Sequence, residues 1–180
     1  MKIIYCFIII LCLFTACSDT PDYYPLTVGN EWVYHVARVD RATLDTTYST
    51  LEVRIGDEIT HHGRRVFQYI GTVGETSDTV FLEDTGDYIL RYDNAVDTMP
   101  DTVFAFPYEE GKTWTVDHYT QATVVGKEMS AGLNGLYQDC WRIDFNFDNH
   151  YYAPDVGLVR LYHMCSLGET IYELEDMTIQ

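Results

Sequence analysis

The chain has 180 residues, enough for one domain or two small ones. Hydrophobic residues make up 47% and aromatics 14%, so a full core is available and wholesale disorder is excluded. Lys and Arg number 11 against 28 Asp and Glu, a net charge of −17. This excludes nucleic acid as a partner and disfavours an anionic membrane surface, because phosphate binding needs clustered cations.

Lys2 is followed by an unbroken apolar run over residues 3–14. A membrane-spanning helix needs ~20 such residues. A basic start, a short apolar segment and a small residue at its end read instead as a secretory signal. The run stops at Phe14-Thr15-Ala16-Cys17, which resembles the lipobox of bacterial lipoproteins. The resemblance implies cleavage between Ala16 and Cys17, a thioether-linked diacylglycerol on Cys17, and acylation of its new amino group. Several acyl chains hold a protein to a bilayer, since each buried CH₂ contributes ~0.8 kcal/mol. The plainer alternative is an ordinary secretory signal that leaves a soluble protein. The organisation expected is a signal peptide over 1–16, a lipidated tether over 17–30 and a β-domain over 31–180. Ser18 follows the cysteine where an Asp would favour inner-membrane retention, so the expected location is the cell envelope, on the outer membrane.

From residue 30 onward the pattern has period two. Leu51, Val53 and Ile55 alternate with Glu52 and Arg54. Trp141, Ile143, Phe145 and Phe147 alternate with Arg142, Asp144 and Asn146, so these four are expected to face inward. Strands are predicted at 31–39, 46–56, 64–73, 78–83, 87–92, 101–106, 113–118, 121–129, 136–147 and 156–165, with a last one at 169–176. Gly, Asp and Asn clusters separate them, as at His61-His62-Gly63 and Asp84-Thr85-Gly86-Asp87. No stretch shows a long amphipathic helical pattern, so parallel βαβ units are not expected. The fold class is all-β: one antiparallel, strongly curved sheet or barrel of about ten strands, with a two-sheet sandwich as the alternative.

Two segments bracket the mature chain. Tyr24-Pro25-Leu26-Thr27-Val28-Gly29-Asn30-Glu31-Trp32-Val33-Tyr34 resembles the YPLxxGNxWxY opening of an uncharacterised bacterial lipoprotein family. Tyr152-Ala153-Pro154-Asp155-Val156-Gly157-Leu158-Val159 resembles its YAPGVGLVK ending, with Asp155 in place of Gly and Arg160 in place of Lys. The resemblance implies no catalytic residues. Physically, Gly29-Asn30 reads as a turn before the first strand and Trp32 as a core anchor. Ala153-Pro154-Asp155 should interrupt pairing, and Gly157 permits a bulge or a close backbone approach.

Candidate chemistry is sparse. Cys6 and Cys12 leave with the signal, and Cys17 is the lipidation site. Cys140 and Cys165 form a candidate disulfide, which needs Cα atoms within ~7 Å. A chain reversal at Asp148-Asn149 places Cys140 opposite Leu158 instead, and the alternative is two buried thiols. His163 and Cys165 share a strand face and could donate two ligands, but zinc needs three or four, so no metal site is predicted. Asp144-Phe145-Asn146-Phe147-Asp148 imitates the start of a calcium loop, but Asn149 stands at the glycine position, and the segment reads better as strand and turn. Hydrolase, metalloprotease and phosphate-loop motifs do not occur, so no catalytic residue and no cofactor is nominated. Thr46, Thr79, Thr98 and Thr102 each follow an Asp and precede Thr or an apolar residue, a pattern resembling a short bacterial O-glycosylation signal. Two functions fit: an interaction or structural module with an envelope protein partner, which is favoured, or a binding protein for a small apolar or carbohydrate ligand lined by Trp32, Trp114 and Trp141.

Overall fold

The computed structural model describes residues 21–94, 96–128, 131 and 135–180. The signal segment and Cys17 lie outside these residues. Twelve strands form one antiparallel sheet: β1 (Glu31–Asp40), β2 (Thr46–His61), β3 (Arg64–Val73), β4 (Thr76–Asp84), β5 (Tyr88–Tyr92), β6 (Asp101–Ala105), β7 (Thr113–Thr115), β8 (Gln121–Glu128), β9 (Cys140–Phe145), β10 (Asp148–Ala153), β11 (Gly157–Cys165) and β12 (Gly168–Thr178). Among the described residues there is no α-helix. Each strand pairs with its neighbour in sequence, except that β6 and β7 are the two edges and β1 pairs with β12. The sheet is therefore a meander bent round until its edges meet. They touch where Thr102 N–H donates to the Val116 carbonyl at 3.2 Å and the Trp114 indole N–H donates to the Thr102 carbonyl at 3.1 Å. The result is a nearly closed barrel.

The all-β expectation holds, with one strand more than the eleven segments expected. The segment read as one strand over 136–147 divides: β9 ends at Phe145, Asn146-Phe147 make the turn, and β10 follows. Asn146 takes a left-handed φ of 53°, which Asn tolerates well. The inward row is accordingly Trp141, Ile143 and Phe145. Phe147, at the turn, is 73% exposed rather than buried.

Register shifts in the pairings of β1, β2, β5, β8 and β10 give the sheet its curvature. Where β1 and β12 meet, a Cβ on Gly168 would sit 2.0 Å from the Val39 carbonyl oxygen, so only glycine fits. One face of the sheet points into the barrel. The other carries a small core of its own: Gln68, Phe81 and Tyr92 are direct cross-strand partners and so share the outer face. Val66, Phe81 and Tyr92 are buried there. The β5–β6 connection returns to this patch, and His61 Nε2 meets the Asp97 carbonyl at 2.7 Å. Beside it Glu83, 9% exposed, accepts from Tyr92 Oη at 2.6 Å and Arg64 Nη1 at 3.2 Å.

The two sequence motifs come together in space. Asp22 and Asp155 exchange bonds: Asp155 N–H donates to the Asp22 carbonyl (2.8 Å), and Asp22 N–H donates to Asp155 Oδ1 (2.9 Å). Asp155 stands at a left-handed φ of 59°. Asp is among the residues that tolerate this region, and here its carboxylate gains a partner. The Trp32 indole N–H donates to the Val156 carbonyl at 2.7 Å, and Tyr34 Oη donates to the Leu158 carbonyl at 2.9 Å. Gly157 lies between them at a φ of 92°, and a Cβ there would sit 3.4 Å from the Pro25 ring. Asn30 is fully buried and satisfied: its amide N–H donates to the Pro25 carbonyl at 2.9 Å, and its Oδ1 accepts from Gln180 N–H at 2.8 Å. Residues 22–30, read from sequence as part of a tether, thus pack as a plug across one end of the barrel.

Candidate functional site

The plug divides the barrel's interior. Tyr24 packs against Phe104 (ring centroids 4.7 Å), Tyr152 (6.3 Å) and Tyr69 (6.4 Å). Beneath these rings only a void of about 20 Å³ remains, lined by Pro25, Trp32, Tyr34 and Gly157 among others. Beyond them the interior opens into a cavity of about 380 Å³. Its floor and walls are Tyr24, Tyr69, Val80, Leu82, Phe104, Phe145, Tyr152, Leu158 and Leu161. Arg91, Asp117, Asp148 and His150 supply the polar groups. Asp117 belongs to the β7–β8 connection and Asp148 begins β10, so both stand at the end away from the plug. There Asn146 Nδ2–H donates to the Tyr119 carbonyl at 3.0 Å and ties two rim turns together. The barrel is thus a cup with one closed end.

Most polar groups of the cup are already paired. Arg91 Nη2 donates to Asp101 Oδ2 at 2.7 Å, and its Nε, which makes no hydrogen bond, lies 3.2 Å from Asp93 Oδ1. The Asp117 carboxyl is held below its usual range, first by the Tyr119 N–H it accepts at 2.6 Å, with Thr120 adding further bonds. Asp148 Oδ1 lies 2.5 Å from His163 Nδ1.

His150 differs. Its Nδ1 lies 3.0 Å from Tyr152 Oη, and its Nε2 is buried with no partner among the described residues. Burial lowers its pKa to about 3, with the nearby His163 adding to the effect, so the ring is neutral. Burial also holds the Tyr152 phenol well above its ordinary value, so its proton stays on. That proton needs an acceptor, and Nδ1 is the one within reach. The tautomer that follows carries its hydrogen on Nε2, a donor without an acceptor in the wall of the cup. An unpaired buried polar group costs about 1–3 kcal/mol, and a ligand acceptor would recover that cost.

The residues nominated from sequence lie elsewhere. Cys140 is buried and Cys165 exposed, and both thiols are free. Cys165 pairs with Gly168 at the rim turn, whereas Cys140 begins β9 at the plugged end, five residues or about 17 Å of strand from the rim. The candidate disulfide is therefore not made: the two cysteines stand at opposite ends of the sheet on strands that are not neighbours. Burial, then Asp139 and Glu128, raise the Cys140 thiol to about 11. Thr46 and Thr98 are exposed, and Thr79 and Thr102 are half-buried. Asp144, from the calcium-like stretch, is held by Arg142 (2.9 and 3.1 Å) and Asn149 (3.1 Å). Among the described residues no group of three His, Cys, Asp or Glu side chains could hold a metal ion. Trp32 belongs to the plug contact and Trp114 to the seam, so neither lines the cup.

No protein-family model matches this chain, and no curated protein does. Two solved structures resemble it. One is a "putative exported protein with YmcC-like fold" from Bacteroides fragilis, with a TM-score of 0.53 and 13% identity over 89% of this chain and 100% of that one. The other is a "putative lipoprotein" from Parabacteroides distasonis, with a TM-score of 0.50 and 13% identity over the same shares. At this identity the likeness concerns the fold, and the chain has a fold of this kind.

A histidine buried in its neutral form makes stability depend on pH. The folded-state pKa of about 3 lies below the ordinary histidine value of 6.5. The contribution is fully present above pH ~6.5 and is lost as pH falls towards 3, because the unfolded chain takes up a proton that the folded chain refuses. Replacing His150 with Phe should flatten the fall in stability between pH 6.5 and 4 by a few kcal/mol, measured by urea unfolding. Parallel curves for the two proteins would show that His150 is not held neutral.

Proposed function

We propose that this chain is a cell-envelope lipoprotein, anchored through Cys17, whose cup takes up one small, largely apolar ligand carrying a hydrogen-bond acceptor. One observation supports this above the others: the interior is not filled. Sequence analysis favoured an interaction module because nothing in the pattern demanded a cavity. A space of about 380 Å³ with aromatic and aliphatic walls falls within the ordinary range for small-molecule sites. The unpaired Nε2–H of His150 in its wall supplies orientation. Nothing in the site resembles a catalytic constellation, so the reading is binding and not turnover. Likeness to exported and lipoprotein structures supports the envelope setting, and Ser18 favours the outer membrane within it.

The interaction reading keeps one observation in its favour. Leu44, Tyr119, Phe147 and Leu167, all at turns of the rim end, are exposed. They would let an envelope partner sit on the mouth of the cup.

The cup is tested by filling it. Val80 lines the wall, and Val80→Trp should occupy the space without touching the plug. Wild type is expected to bind anilinonaphthalene sulfonate saturably at one site per chain. Val80→Trp should bind at least tenfold more weakly with the same circular dichroism. Equal binding by both proteins would place the probe elsewhere and remove the cup reading. The anchor is tested separately: wild type should partition into detergent with a lipid mass on Cys17, and Cys17→Ser should lose both. A soluble, unmodified wild-type protein would contradict it.

A further inference from the structure

On the other side of the plug lies a second cavity, of about 510 Å³. It is formed by the β4–β5 turn, the β6–β7 connection, the start of β9 and residues 21–24. Its walls are aromatic. Tyr108 sits in the middle, with Phe106 at 5.0 Å, Tyr23 at 5.4 Å and Trp141 at 6.1 Å between ring centroids. Its rim is anionic, with Asp22, Asp84 and Asp87. Asp22 Oδ1 accepts from Tyr24 N–H and Asp84 Oδ1 from Gly86 N–H, which leaves the second oxygen of each carboxylate without a partner among the described residues. Asp87 is exposed. Two lysines lie near without lining the cleft. Lys112 Nζ is engaged by the carbonyls of Phe106 and Pro107 at 2.7 and 3.0 Å, and Lys127 Nζ lies 5.4 Å from the centre of the Trp141 ring.

The independent sign of a ligand is Tyr108. The residue is 7% exposed, lines this cleft, and its hydroxyl is buried with no hydrogen-bond partner among the described residues. Tyr hydroxyls in such surroundings ordinarily find one. The chemistry around it selects the class of ligand. Three carboxylates repel an anion. A neutral sugar could use the Tyr23, Tyr24 and Tyr108 hydroxyls, but it would gain nothing from the charge of three carboxylates. An ammonium group brings only donors, and aromatic faces attract it.

We propose that this cleft binds an alkylammonium group, with the carboxylates of Asp22, Asp84 and Asp87 and the Tyr108 hydroxyl oxygen as acceptors and the Tyr23, Phe106 and Trp141 rings as walls. The site is separate from the cup and stands whether or not the cup binds anything. The group can come from a free amine or from an ethanolamine lipid headgroup. The second source rests on the anchor reading, since Pro21 in the cleft wall is four residues from Cys17.

The test titrates n-butylammonium into the full-length protein in nanodiscs, followed by tryptophan fluorescence at low salt. A saturable change is expected, weakened at least fivefold by Tyr108→Phe and by Asp87→Asn and abolished in signal by Trp141→Phe. Tyr108→Phe removes an unpaired hydroxyl, so its thermal midpoint should not fall. Neutral n-butanol at equal concentration should give no change. In phosphatidylethanolamine discs, weaker apparent binding than in phosphatidylglycerol discs would identify the lipid headgroup as the occupant, and equal binding a free amine. Equal responses to butanol and butylammonium, no saturation, or unchanged affinity in both folded variants would overturn the proposal.

Discussion

The indole N–H of Trp32 reaches the Val156 carbonyl across 124 residues of chain, and the rest of the molecule is arranged around that contact. It seats the start of β1 against the β10–β11 turn. The same approach requires Gly157, sets Pro25 beside it and carries Tyr24 into the barrel. A meander has no intrinsic reason to close, because each hairpin is satisfied by its neighbours. The first and last strands pair in the middle of the sheet, the ring closes where the β6 and β7 edges touch, and the plug reinforces the β1–β12 pairing from inside. Asn30 links the two, since its side chain holds both Pro25 in the plug and Gln180 beyond β12.

Sealing one end has a consequence for what the interior can do. A barrel this size must either be filled by side chains or enclose space. Here the plug fills the lower part with tyrosines and leaves the upper part open. Tyr24, Tyr69 and Tyr152 pack together on the floor, and the cup above them keeps aliphatic, aromatic and polar walls. The same plug makes the roof of the second cleft, so one nine-residue segment shapes two candidate sites with different chemistry. The cup is mainly apolar with a spare donor. The cleft is aromatic and anionic with spare acceptors.

Much of this was legible in the sequence. Period-two alternation gave the all-β class, and the strand over 64–73 matches β3 residue for residue. The turn at Gly29-Asn30, the anchoring role of Trp32 and the close approach at Gly157 follow from residue type alone. What pattern could not supply was long-range. Residues 18–25 look like a tether because Pro, Asp and Ser dominate them, and nothing local says that Tyr24 has a pocket 128 residues away at Tyr152. Likewise His150 and Asp148 were hidden because Asn146-Phe147 reads as a continued strand: a two-residue turn with an exposed Phe breaks the usual turn chemistry. With the reversal expected at Asp148-Asn149, two residues beyond the actual turn, the strand carrying the cup's polar wall was missed.

The account turns on His150 being enclosed, neutral and protonated on Nε2. Two-bond ¹⁵N–¹H correlation spectra of the imidazole report both tautomer and charge. The account predicts an Nε2–H tautomer for His150 that does not titrate between pH 8 and pH ~4, consistent with burial in the cup wall. A His150 ring that titrates near its ordinary value, or that carries its proton on Nδ1, would mean that the wall is wet or differently bonded, and would contradict the cup as described.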